Sequence, residues 1–135
     1  MSQENVNRLR ARYEAAERGA WGADLLAHDF ELHQASSIID SAAVYKGPDA
    51  IRDVMGELEG SFEEISVDAE EISEAPGGEI VVVLRISGRG RGSGIELDNR
   101  IGHVWTFRDA KAVRMVAYEE PADALEAVGL EEQGP

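Results

Sequence analysis

The 135-residue chain has no cysteine, only four prolines and only eight aromatic side chains (three Phe, three Tyr, two Trp). It has no apolar run near the roughly 18 to 20 residues that a membrane-crossing helix needs. Each shortage excludes something. Without thiols there is no disulfide framework, no thiolate nucleophile and no cysteine-based metal site. The opening stretch "MSQENVNRLR" is polar and has no apolar signal region, so a cytoplasmic protein is expected. Basic residues are scarce as well, 13 against 27 acidic ones, for a net charge of −14. Spread evenly, that balance repels nucleic acid and anionic membranes, so neither is an expected partner.

The charge is not even. Arg85 to Arg114 holds seven basic and three acidic residues, a local +4, which leaves −18 for the remainder. Such a segment is either a stripe that meets an anion or a set of outward-facing strand arginines that neutralise acidic neighbours. Alternation along a strand favours the second reading, because it puts charges on one solvated face without any partner molecule.

Apolar residues at Val6, Leu9, Tyr13 and Ala16 have the spacing of one helical face, which predicts a helix over 2–18 with Gly19 as its stop. "AWGADLLAHD" reads as a short second helix and "DFELHQA" as a strand with Phe30, Leu32 and Gln34 on one side. In "YKGPDAIRDVMGELEG", Pro48 suits the first position of a third helix, whose buried face is Ile51, Val54, Met55 and Leu58. From Ser61 the period changes to two, predicting four strands, "SFEEISVDAEEISE", "IVVVLRIS", "IELDNRIGHVWTF" and "AVRMVAYEE", joined by short turns into an antiparallel meander. "PADALEAVGL" predicts a C-terminal helical turn, and 130–135 is expected to fray. The length suits one domain over 1–135, of class α+β, with helices packed on one face of a curved antiparallel sheet.

"GRGRGSG", Gly88 to Gly94, raises the question of a phosphate cradle. Phosphate-binding glycine loops lead into a helix N-terminus, whereas strands are expected on both sides of this one. Alternate glycines leave one side of the ribbon without Cβ atoms, which lets it bend sharply or lets another backbone approach. A bent hairpin is the preferred reading. A tip that meets an anion or a second subunit stays open, and a nucleic-acid arm is disfavoured because no aromatics are interleaved with the arginines.

If "RDA" is a three-residue loop, the last hairpin pairs Trp105 with Val113 and His103 with Met115. The inner face is then Ile101, His103, Trp105, Phe107, Val113, Met115, Ala117 and Glu119. A two-residue loop scatters the apolar set over both faces and is less favourable. His103 and Glu119 are therefore the ionisable groups expected in an apolar interior, where burial prepares groups for acid or base work. A satisfied core histidine and a rim salt bridge are the plainer alternatives. Tyr13 can point into the same space or simply pack with one hydrogen bond. Trp21, Phe30, Leu32, Gln34, Tyr45, Trp105 and Met115 are the expected ligand-lining residues. His28, His33 and His103 have no metal-ligand spacing, so no metal is expected.

The segments "RLRARYEAAERGAW", "DFELHQ", "YKGPDAIRDVM", "GRGRGSGIEL" and "HVWTFRDAKAVRMVAYEEPADALEAVGL", in that order, resemble the SnoaL-like branch of the nuclear transport factor two-like superfamily. The resemblance spans nearly the whole chain, and none of its markers is a catalytic signature. It implies a cone-shaped α+β fold around an apolar pocket, often in a homodimer, among relatives that include polyketide cyclases, ketosteroid isomerase and limonene epoxide hydrolase. "ARY" at Ala11 to Tyr13 is similar to the isomerase segment that holds an oxyanion-stabilising tyrosine. His103 falls where that enzyme has its second donor, an aspartic acid. Leu32 or Gln34 falls where it has its base, and neither accepts a proton from carbon, so isomerase activity does not carry over. The aspartate–arginine–aspartate set of the epoxide hydrolase is absent from the expected inner faces. The resemblance therefore implies a cofactor-free enzyme acting on an apolar carbonyl or polycyclic compound. Its catalytic residues would be His103 as general acid or base, Tyr13 as oxyanion donor and Glu119 as orienting or proton-exchanging group. A non-catalytic binder of an apolar ligand or a dimeric scaffold is the alternative.

Overall fold

The computed structural model describes residues 2–16, 25–34 and 44–130. Its elements are α1 (Ser2–Ala16), β1 (Leu26–Gln34), β2 (Val44–Lys46), α2 (Ala50–Ser61), β3 (Phe62–Glu74), β4 (Ile80–Gly90), β5 (Glu96–Arg108), β6 (Lys111–Tyr118) and α3 (Pro121–Ala127). The strands form one six-stranded sheet in the order β2-β1-β6-β5-β4-β3. The expected meander is present as β3 to β6, each antiparallel to the next. The sheet as a whole is mixed, not antiparallel throughout, because β1 lies parallel to β6 and is edged by β2. A parallel neighbour needs a long crossover, and the chain between β1 and β6 supplies it by running through α2 and four strands.

The amphipathic spacing places α1 and α2 over the concave face. Val6, Leu9 and Tyr13 of α1 and Ala50, Ile51, Val54 and Met55 of α2 are buried in the main core with Val82, Leu84, Trp105 and Met115 of the sheet. Helices were expected on one face only, but α3 covers the convex side. Ala124 and Leu125 pack there on Val81 and Val104, which explains why "IVVVL" is apolar without alternation. Gly102 permits this contact: a Cβ at that position would lie 2.5 Å from the Ala124 Cβ. Among the described residues no helix is long and apolar enough to cross a membrane.

Three local expectations change. Leu26 to His28, read as part of a second helix, belong to β1 with the expected strand residues from Asp29 on, and the rest of that helix falls mostly outside the described residues. Pro48 lies in a turn before α2, which starts at Ala50, and Gly47 (φ 89) donates its N–H to the Phe30 carbonyl at 2.8 Å. The last hairpin has a two-residue turn, Asp109-Ala110, with Arg108 opposite Lys111 and Phe107 opposite Ala112. A bulge at Val113 then shifts the register, so Trp105 faces Met115 and His103 faces Ala117. This pairing differs by two residues from the three-residue-loop expectation in the site region. A shift of two keeps each side chain on its face, so His103, Trp105, Met115 and Ala117 still share the inner side. Ala112 replaces Val113 in the core.

The glycine-rich segment is a hairpin. Gly88 pairs with Leu97 and Arg89 with Glu96, and the turn that follows has Gly92 and Gly94 at positive φ (80° and 72°). The tip is held to the neighbouring helix end, with Arg91 donating its backbone N–H to the Ser61 carbonyl and its Nε to the Glu59 carbonyl.

Candidate functional site

α1, α2 and the concave sheet do not close completely. Between them lies a cavity of about 110 Å³. Its wall is mainly apolar, with Ile51, Val54 and Met55 on the helix side and Leu84, Ile86 and Met115 on the sheet side. The polar groups that border it are Arg12, Tyr13, Gln34, Asn99, His103 and Glu119, with Tyr118 beside the last of these. An apolar cavity with a few convergent polar groups is the usual form of a small-molecule site.

Tyr13 and His103, on the cavity floor, form a hydrogen-bonded chain with Trp105 behind them. The Tyr13 hydroxyl lies 2.6 Å from His103 Nδ1, and Trp105 Nε1 donates to the Tyr13 oxygen at 3.0 Å. Since the indole N–H occupies that oxygen, every buried group is satisfied when Tyr13 donates its own proton to Nδ1. This assigns His103 the neutral tautomer with hydrogen on Nε2, and Nε2 has no hydrogen bond to another described residue. Protonation equilibria agree. Desolvation first, and the Arg12 charge second, push the His103 imidazole down to about 3. Desolvation pushes the Tyr13 hydroxyl up to about 12, against smaller opposing effects of Arg12 and Trp105. His103 is otherwise enclosed and keeps a partly accessible edge where it borders the cavity.

Arg12 is the unexpected member. Its side chain is buried, with 8% of its surface accessible, and among the described residues its Nε has no hydrogen-bond partner. The guanidinium lies 5.0 Å from the Tyr13 ring centroid and 5.2 Å from that of Trp105. A desolvated cation–π contact contributes on the order of 2 kcal/mol, against a penalty of several kcal/mol for burying an ion, so the rings offset only part of the cost. Desolvation accordingly lowers the pKa of the guanidinium. The sequence held a signal for this residue: Leu9, Arg12 and Tyr13 stand at helical i, i+3 and i+4 positions, so Arg12 shares the buried face.

The three expected catalytic residues, His103, Tyr13 and Glu119, all border the cavity, as do Leu32, Gln34 and Met115 of the expected ligand contacts. The other lining expectations are placed differently. Phe30 and Trp105 are fully buried behind the wall, and Tyr45 lies on β2, where it donates to Glu57 Oε2. Trp21 lies outside the described residues. His33 pairs with Glu31 at 2.9 Å and does not border the cavity. Among the described residues no group of three or more His, Asp or Glu side chains could hold a metal ion.

The SnoaL-like domain family matches residues 6–115, which include the α1 tyrosine, the histidine strand and the cavity wall as far as Met115. The chain belongs to the SnoaL-like domain family. Solved structures show the same fold. An NTF2-like protein of unknown function from Burkholderia pseudomallei superposes with a TM-score of 0.73 at 21% identity, covering 93% of this chain and 97% of that one. TerC co-crystallised with polyporic acid gives 0.72 at 18%, covering 92% and 96%. A protein from Mesorhizobium loti, proposed to be a SnoaL-like polyketide cyclase, gives 0.63 at 16%, covering 87% and 98%. No curated protein matches the chain. At these identities the likeness carries the cone-shaped α+β fold and leaves function to the site.

Proposed function

We propose that this SnoaL-like protein binds a small, largely apolar carbonyl compound in the cavity and catalyses proton transfer at carbon without a cofactor. The observation that carries this reading is the Tyr13–His103 hydrogen bond of 2.6 Å at the floor of an apolar cavity. With Nδ1 accepting from Tyr13, His103 can present Nε2–H to a carbonyl oxygen. A neutral imidazole held far below its usual pKa is a hydrogen-bond donor that does not readily give up or gain a charge. It stabilises the negative charge that develops on the oxygen as an enolate forms. Tyr13 is then a positioning residue, which fixes the tautomer, and not itself the donor to substrate.

Glu119 is the carboxylate among the described cavity-lining residues, and it is assigned the proton exchange. The C–H bond next to the carbonyl breaks, its proton passes to the Glu119 carboxylate, and the electron pair moves onto the oxygen facing His103. Return of the proton to a different carbon gives an isomerisation. Attack of the enolate on a second carbonyl in the same molecule gives a ring closure, with the proton delivered to the new alkoxide. The small-molecule reading is supported by a structural neighbour co-crystallised with polyporic acid.

The test has two stages. Polyketide-like, steroid-like and terpenoid ketones are titrated against thermal stability, where a ligand at about a hundred times its Kd adds roughly 2.7 kcal/mol, or several degrees. Ligands that bind are then incubated in D₂O and followed by NMR. Deuterium entry next to the carbonyl, reduced at least tenfold in His103→Ala, supports the assignment. Exchange that persists in the Tyr13→Phe, His103→Ala double variant would overturn it. Saturable binding without exchange would leave a non-catalytic carrier.

A further inference from the structure

We propose that the cavity takes an anion, an apolar compound with a carboxylate or ionised enol whose charge is met by Arg12; this rests on the small-molecule reading of the same site. Arg12 borders the cavity, is more than nine-tenths buried, and has an Nε without an acceptor among the described residues. Among the described residues no carboxylate forms an ion pair with it, and its guanidinium carbon lies over the faces of Tyr13 and Trp105. That differs from the arginines of the outer sheet face. Arg85, Arg89, Arg100 and Arg108 each have a carboxylate within 3.0 Å and stand half in solvent, where a pair is least needed.

A buried charge needs a partner far more than an exposed one does. A guanidinium has five N–H donors in a fixed plane, and a carboxylate is the group that matches that fork. The rest of the wall, from Ile51 and Val54 to Leu84 and Ile86, asks for an apolar body. The lining therefore describes an amphiphilic acid with its head toward Arg12 and its hydrocarbon or ring toward α2. A volume of about 110 Å³ is of the order that accommodates a single ring.

The test compares matched pairs in which only the charge differs: benzoate with benzamide and 1-naphthoate with 1-naphthamide, by calorimetric titration at pH 7. The expected result is at least tenfold tighter binding of the acids by the unmodified protein. In Arg12→Met the acid preference disappears while the amides still bind, and in Arg12→Lys part of the preference remains. Loss of a buried, unpaired charge leaves Arg12→Met at least as stable as its parent, and a thermal scan checks this. Should Arg12→Met not fold, the acid-to-amide ratio of the unmodified protein and of Arg12→Lys decides. Equal binding of acid and amide, or a preference that survives Arg12→Met, overturns this inference and leaves the pocket reading standing. If neither set binds, both fall.

Discussion

Tyr13 joins the helix layer to the sheet through two hydrogen bonds, to His103 and from Trp105. Tyr13→Phe leaves Nδ1 and the indole N–H without partners, at a cost of about 1 to 3 kcal/mol. A matching fall in the urea midpoint is the expected outcome, and an unchanged midpoint would mean that the hydroxyl carries no structural role. His103 makes a pH prediction of definite sign. Its folded pKa is depressed to about 3 from 6.5, so its contribution to stability is full above pH 6.5 and is lost as pH falls toward 3. Between pH 7 and pH 5 this amounts to about 2 kcal/mol. His103→Gln removes that slope, and urea titrations at the two pH values read it directly. Part of the cavity lining is legible in the sequence: strand parity alone sends His103 and Glu119 inward, and both border the cavity. Arg12 is not so legible, because a charge on a helix is ordinarily assigned to water and only its i, i+3 relation to Leu9 says otherwise. Side-chain size also misled, since Phe30 and Trp105 are large enough to be fully enclosed and so stand behind the wall.

At the scale of elements, α3 rests on β5 where Gly102 has no side chain. Gly102→Ala puts a methyl group 2.5 Å from the Ala124 Cβ and pushes the helix away. The expected loss is about 1 to 3 kcal/mol, measured by denaturation, with the cavity and its ligands unaffected. The elements themselves were largely readable, because long periodic segments such as α2 and β3 to β6 carry their own hydrophobic pattern. β2 was missed, as three residues are too short to show a period. Leu26 to His28 read as helix because "LLAH" repeats no clear period; their strand state comes from pairing along β6, a contact that local sequence does not contain. The bulge at Val113 was invisible for a similar reason. It reconciles a two-residue turn at Asp109-Ala110 with inward-facing Trp105 and Met115, two demands that conflict without an extra residue. Convex-face packing by α3 was not expected from a short terminal helix either.

Over the whole molecule the −14 charge is arranged rather than merely abundant. The arginines of β4 and β5 pair with Asp98, Glu64, Glu70 and Asp29 on exposed faces, so the apparent +4 segment presents no continuous basic stripe. No retention on heparin at low salt is expected, and retention would point to a basic surface that these pairs do not predict. The exposed pairs contribute little to stability, so Arg85→Ala should leave the urea midpoint nearly unchanged. Trp105 gives the molecule a further property. It is one of only two tryptophans in the chain, is sealed from water, and is hydrogen-bonded to Tyr13 beneath a guanidinium. With Trp21 replaced by phenylalanine, the emission colour of this single indole becomes an optical gauge of the charge above it, and occupancy of the cavity can be followed by light without any label.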